Sequence, residues 1–253
     1  AEIEQFKETY RNLHKAISES NAEIKRKATL IRLSEQVSDF FAELTEITTK
    51  YVSHSIETMF TNKWQYLFSE IGNVIVREDD VGYNEISRFR TVYSSLNCYF
   101  SIANDNYIRS ESIKHDSLFS NIDGKSLDEQ QRTAVITDED RILVLAGAGS
   151  GKTLTIAAKV KYLCDIKKYD PQDVLLVSFT NKSAQEMTDR IQNKLGIKAE
   201  ATTFHKLGLD IIKHSEGFRP EISDDDELSR FVHSFFENEL FKYPDLIKSL
   251  TEY

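Results

Sequence analysis

Gly147-Ala148-Gly149-Ser150-Gly151-Lys152-Thr153 places three alternating glycines directly before a lysine and a hydroxyl residue. Glycine lets backbone N–H groups turn inward around an anion where a β-carbon would obstruct it. Lys152 then has the reach of a β or γ phosphate, Thr153 offers a hydroxyl to Mg²⁺, and the helix expected next aims its positive end at the same anion. The chemistry is that of holding a nucleoside triphosphate. Ala148, Gly149, Ser150, Gly151, Lys152 and Thr153 are the phosphate-contacting candidates, with Lys152 and Thr153 also carrying the catalytic roles and Thr153 the metal. The formal pattern GxxxxGK[ST] is broken at its first position by Ala146, and the glycines run GxGxG rather than the GxGxxG of a dinucleotide fold.

Such a loop needs a strand before it and a helix after it. From about residue 126 the sequence alternates apolar β runs with helical stretches: "RILVLA", helix, "DVLLVSF", helix, "AEATTF", helix. This is the rhythm of an α/β domain with a parallel sheet covered on both faces. "GFRPEISDDDELSRF" breaks it, and Ser223 is placed to cap a new helix with Asp224 to Asp226 at its positive end. The earlier region has different punctuation, with no glycine before Gly72 and no proline before Pro171, so it reads as helix. Ile3, Phe6, Tyr10, Leu13 and Ile17 follow a 3-4-3-4 spacing that slips at Ser20/Asn21 and resumes at Ile24, Ala28 and Ile31. A second series runs Val37, Phe40, Phe41, Leu44, Ile47 and Tyr51, and a third spans Met59 to Ile71 around Trp64, the only tryptophan. These predict a helical bundle or hairpin, with "GNVIVREDDVG" as a short strand and turn.

With 253 residues the chain has room for two units. No apolar run reaches the ~18 to 20 residues of a membrane span, and the first 30 residues are too charged for a signal peptide. A cytoplasmic protein without a membrane partner is expected. Cys98 and Cys164 lie in no CxxC or Cys/His cluster, so buried thiols are expected rather than disulfides or zinc. A net charge of −9 argues against a surface coated with basic residues, while leaving room for a local basic track.

"LDEQQRTAV", "LVLAGAGSGKT", "LLVSFTNKSAQEMTDRI" and "ATTFHKLGLDII" stand in the order and spacing of the opening motifs of UvrD/Rep-type superfamily-one DNA helicases, which this sequence resembles. The run "NDNYIRSESIKHDSLFSNIDGKSLDEQQRTAV", behind a long helical region, is similar to the DNA helicase IV branch. The resemblance implies a P-loop NTPase (RecA-like) parallel-sheet motor domain, here incomplete, behind a mainly helical accessory domain. Residues 1–120 would be the accessory domain, 121–216 the partial first motor domain and 217–253 the start of a helical insertion.

The resemblance also implies roles. Gln131 would pair with the adenine edge, since an amide offers the donor and acceptor that match N6 and N7, and Arg132 would support the phosphate or base side. Thr180, Asn181 and Arg190 would contact the backbone of single-stranded DNA, a task suited to hydroxyl, amide and guanidinium donors. Phe204 has two readings, stacking on a base or filling the core. His205 reads as a hydrogen-bonding DNA contact or local cap, whereas Lys182 and Glu186 belong to a plain amphipathic helix.

Hydrolysis of ATP also requires an apolar strand ending in Asp-Glu and an arginine that neutralises the transferring phosphoryl group. "DVLLVSF" and "AEATTF" end without paired carboxylates, so an amino-terminal piece that binds ATP and Mg²⁺ without turning ATP over is expected. The parent protein implied is an ATP-dependent helicase moving 3′-to-5′, with a DNA-repair or transcription partner reached through the helical N-terminal region. The alternative is an ATP-binding remodelling module acting on RNA polymerase or another complex.

Overall fold

The computed structural model describes residues 2–218, 225–238 and 242–243. They are mostly helical, with one two-stranded parallel sheet. The chain divides into two compact units, one made of residues up to Val174 together with Arg190–Lys198, the other of Leu175–Asp189 and the residues from Ala199 onward.

The first unit begins with α1, Glu2–Ile47, a helix of 46 residues that passes unbroken through Ser20 and Asn21. Its two halves share one spacing and meet opposite fates. Ile3, Phe6, Tyr10, Leu13 and Ile17 are exposed, whereas Leu30, Leu33, Val37, Phe40 and Leu44 are buried. The expected continuation at Ile24, Ala28 and Ile31 is exposed as well, and the buried row starts one residue earlier, at Leu30. A straight helix drifts by ~20° per heptad against a 3.5-residue repeat. That drift gives only about 80° between Ile3 and Leu30, whereas at 3.6 residues per turn the buried row lies roughly 180° round the helix from the exposed one, so a separate apolar face meets the bundle.

Those neighbours are α2 (His54–Gly72), α3 (Tyr83–Tyr93) and α4 (Leu96–Lys114). Phe60, Trp64, Leu67 and Ile71 line one face of α2 at 4-3-4 spacing and meet the buried row of α1. Phe40 is the centre of the cluster, with ring centroids of Phe89, Phe60 and Trp64 at 4.8, 5.2 and 5.6 Å. The stretch "GNVIVREDDVG" forms no strand. It is held as a bend: Arg26 on α1 donates to both carboxylate oxygens of Asp80 (2.6 and 2.7 Å) and to the Ile75 carbonyl (2.9 Å), a backbone acceptor that a ladder would need. Gly82 closes the bend at φ +81°, where a β-carbon would sit 2.7 Å from Ser34 Oγ.

The bundle runs on through α5 (Asp116–Phe119), α6 (Glu129–Ile136) and α7 (Lys152–Lys161), the last prolonged by a wider π turn, Tyr162–Ile166. A second core of Phe119, Ile122, Leu127, Val135, Ile136, Leu154, Ala158 and Tyr162 lies beneath them. The run "RILVLA" before the glycine loop is extended, and no strand of the described residues pairs with it. Leu143 and Leu145 are 82% and 86% exposed. Parallel pairing depends on a partner far away in sequence, and an apolar run alone does not supply one. Neither cysteine is the buried thiol expected, since Cys98 is exposed and Cys164 half-buried.

In the second unit β1 (Leu176–Ser178) pairs in parallel with β2 (Ala201–Thr203), opposing Leu176 to Ala201 and Ser178 to Thr203. Helix α8 (Asn181–Asp189) follows β1, and α9 (Phe204–Glu216) follows β2 and ends at Gly217 in the left-handed region. Helix α10 spans Asp225–Asn238. The expected cap Ser223 lies outside the described residues. Among the described residues no helix is long and apolar enough to cross a membrane.

Candidate nucleotide-binding site

Asp128 starts α6 with a capping box: its carboxylate accepts the Gln131 N–H (2.8 Å), and Gln131 Oε1 accepts the Asp128 N–H (3.0 Å). The other end of the same amide faces the glycine loop, where Gln131 Nε2 donates to the Ser150 carbonyl (3.1 Å). Gly149 and Gly151 adopt φ of +78° and +81°, and a β-carbon on Gly151 would lie 2.8 Å from Gln131 Nε2. The positive φ favours glycine at residue 151, and a β-carbon there would also push the Gln131 amide aside.

Lys152 is the first residue of α7, and its Nζ bends back over the loop to donate to the Gly147 (2.6 Å) and Ala146 (3.1 Å) carbonyls. Ser150 Oγ donates to the same Gly147 carbonyl at 2.8 Å. Ala148 and Thr153 are exposed beside it. The first N–H groups of a helix have no partner within it, so α7 points free donors and its positive end toward this loop. The loop closes one side of a cavity of about 610 Å³, lined by Gln131, Ile142, Ala146, Lys152, Ile156 and Lys159 among others. That volume suits a nucleotide-sized ligand. The donor set of glycine N–H groups and a lysine suits an anion, so the residues fit a nucleoside triphosphate.

Two residues depart from the sequence expectation. Arg132 points away from this cavity, donating to Asp116 (2.7 Å), the Leu127 carbonyl (3.1 Å) and Ser120 (3.2 Å). Lys159 was not foreseen: its Nζ donates to the Val135 (2.9 Å) and Thr137 (2.6 Å) carbonyls and so ties the end of α6 to α7. Burial holds its ammonium below the usual lysine range. Only its spacing of seven residues from Lys152, on the same helix face, hinted at it.

In the second unit, the ends of β1 and β2 lie side by side because the strands are parallel and in register. Thr180 and Asn181 follow β1, and Phe204 and His205 follow β2, so the fold brings these four to one sheet edge. Thr180 Oγ1 accepts the Ser183 N–H (3.1 Å) and starts α8, and Thr203 Oγ1 does the same for Lys206 (3.3 Å) and α9. Phe204 is 67% exposed, so it fills no core here, and Phe179, with no role assigned from sequence, is 88% exposed on the same edge. Arg190 belongs to the first unit, where its guanidinium lies 3.5 Å from Asp123, a carboxylate shared with Lys194 at 3.2 Å.

Residues 127–247 match the UvrD/REP helicase N-terminal domain. The ATP-dependent DNA helicase PcrA of Staphylococcus aureus is 41% identical over 90 residues, which cover 34% of this chain and 12% of PcrA. The PcrA of Staphylococcus epidermidis is 38% identical over 92 residues, covering 35% of this chain and 13% of that protein. The chain therefore spans about an eighth of the length of these relatives. Over just under half its length the chain is thus similar to the UvrD/REP helicase N-terminal domain.

Proposed function

We propose that residues 121–216 bind ATP with Mg²⁺ and single-stranded DNA as part of the first, RecA-like motor domain of an ATP-dependent DNA helicase. The observation that carries this reading is the meeting of Gln131 and Lys152 at one cavity, over a loop with two left-handed glycines. Lys152, Thr153 and the N–H groups of Ala148 to Gly151 would hold the phosphates, with Mg²⁺ at the Thr153 hydroxyl. Bound Mg²⁺ supplies charge neutralisation to the phosphate oxygens. Gln131 would exchange its contact with Ser150 for the adenine edge. Turnover by this chain alone is expected to be negligible, since β1 and β2 end in Ser178 and Thr203 rather than in paired carboxylates.

Base selection provides the test. Gln131→Ala is expected to lose about 1 to 2 kcal/mol of ATP binding, roughly tenfold, while GTP affinity holds steady. The ratio of the two affinities, measured by titration calorimetry, is insensitive to any general loosening of the loop. An unchanged ratio would take Gln131 out of the base site.

At the edge formed by Thr180, Asn181, Phe204 and His205, a base would stack on Phe204 and the polar groups would donate to the backbone. Phe204→Ala is expected to weaken binding of an oligodeoxythymidine by about 1 to 3 kcal/mol, with an unchanged melting temperature because the ring is exposed. A lower melting temperature with unaltered affinity would assign Phe204 to packing. Arg190 would reach a DNA phosphate only by leaving Asp123.

The 3′-to-5′ direction, the DNA helicase IV branch, a cytoplasmic setting and a repair or transcription partner for residues 1–120 complete the proposal. A second reading, an ATP-binding module that remodels RNA polymerase or another protein complex, is favoured by one feature. The apolar ridge of Ile3, Phe6, Tyr10, Leu13 and Ile17 on α1 lies open, as a docking arm would leave it.

A further inference from the structure

The first turn of α2 is capped from elsewhere in the chain. Its N-cap residue, Ser53, makes no capping bond of its own to the helix. Instead, Glu139 Oε2 accepts the His54 N–H at 3.0 Å and Asp140 Oδ2 accepts the Ser55 N–H at 2.9 Å. Asp140 Oδ1 also takes the hydroxyls of Ser55 (2.9 Å) and Ser53 (3.3 Å), and Glu139 Oε1 takes the Tyr51 hydroxyl (3.1 Å). Two adjacent carboxylates thus fill orphan donors at the positive end of a helix 85 residues earlier in sequence. The Ser55 backbone and side-chain bonds keep the Asp140 carboxyl below the usual range.

The location of these carboxylates gives the cap its consequence. Residues 138–141 are the only covalent link between α6, which carries Gln131, and the extended run 142–146, which leads into the glycine loop. Ile142, Val144, Leu145, Ala146 and Gly147 from that run and loop line the nucleotide cavity. On the α6 side, Lys159 grips the Thr137 carbonyl (2.6 Å). On the α2 side, Val52 is locked to α4 by paired bonds with Asn104 (2.8 and 2.9 Å). The run itself has no strand partner among the described residues, so the carboxylate pair is a principal restraint on where it lies.

Resting on the reading of the cavity as a nucleotide site, we propose that Glu139 and Asp140 are positioning residues that couple nucleotide binding to the first turn of α2, so that the helical region and the ATP pocket sense each other. Coupling of this kind is reciprocal. ATP should order the start of α2, and loss of the cap should weaken ATP.

The experiment uses the 253-residue chain. ATP affinity is measured by calorimetry for the unmodified protein, Asp140→Asn and the double variant Glu139→Gln/Asp140→Asn. Hydrogen exchange at the amides of His54 and Ser55 is followed with and without ATP. The double variant is expected to bind ATP about 5- to 10-fold more weakly. In the unmodified protein ATP should slow exchange at these amides, and in the variants that response should disappear. A cap that only stabilises α2 would speed exchange in both states and leave affinity unchanged, which overturns the coupling. Native emission from Trp64 monitors folding; if the double variant loses it, Asp140→Asn alone decides, with unchanged affinity again overturning the coupling. Failure of the unmodified chain to bind ATP would instead overturn the nucleotide reading and this inference with it.

Discussion

Lys152→Ala is expected to lower the affinity of the chain for ATP by about 10- to 100-fold, with little change in melting temperature. The size follows from charge-assisted hydrogen bonds worth about 1.5 to 3 kcal/mol, at 1.4 kcal/mol per factor of ten. Stability is spared because the present partners of Nζ are the carbonyls of Ala146 and Gly147 on an exposed loop, which water can satisfy. Surface changes of this type stay within about 0.5 kcal/mol. Calorimetric titration alongside a thermal melt checks both halves. An unaltered affinity would mean that the loop cradles no phosphate. Steady ATP turnover that vanished in the same variant would instead reveal a catalytic carboxylate among residues given no such role here.

The largest stability effect is expected at the centre of the helical bundle. Phe40 is fully buried and in ring contact with Phe41, Phe60, Trp64, Phe89 and Tyr93. Truncation to alanine removes the anchor from α1 and leaves a cavity that five surrounding aromatic rings are too rigid to fill. Phe40→Ala should cost about 3 to 5 kcal/mol, a fall in melting temperature of roughly 10 °C for a unit of this size. Denaturant unfolding followed through Trp64 reads the event at its site, since that indole lies 5.6 Å from the Phe40 ring. Phe6→Ala is the internal comparison: it has the same residue type and helix, but its ring is exposed, and stability should hardly move. Equal losses in the two variants would contradict the bundle described here.

That pair also shows where reading from sequence stops. Phe6 and Phe40 sit in runs of identical 3-4-3-4 spacing, because spacing records the geometry of one helix and carries no information about what lies opposite. Only the presence of α2 and α3 beside the second run decides which row is buried. The apolar run 142–146 follows the same logic, since its composition favours a strand while a ladder needs a distant partner to exist. Arg132 and Arg190 were legible as cations, yet Asp116 and Asp123 determine where their guanidinium groups point.

Features within a few residues of one another were legible. The glycine loop, the lysine that opens α7, the helical character of α1, α2 and α4, and the strand-to-helix junctions at Thr180 and Phe204 are set by local sterics and hydrogen bonding. Local interactions need no third party, so the sequence determines them by itself. The capping of α2 by Glu139 and Asp140, the clasp of Lys159 on the end of α6 and the approach of Gln131 to Gly151 join residues 20 to 85 positions apart. Those were decided by tertiary structure alone, because a carboxylate, an ammonium or an amide has many possible partners in a sequence and acquires one only when packing brings it within 3 Å or so of a donor or acceptor.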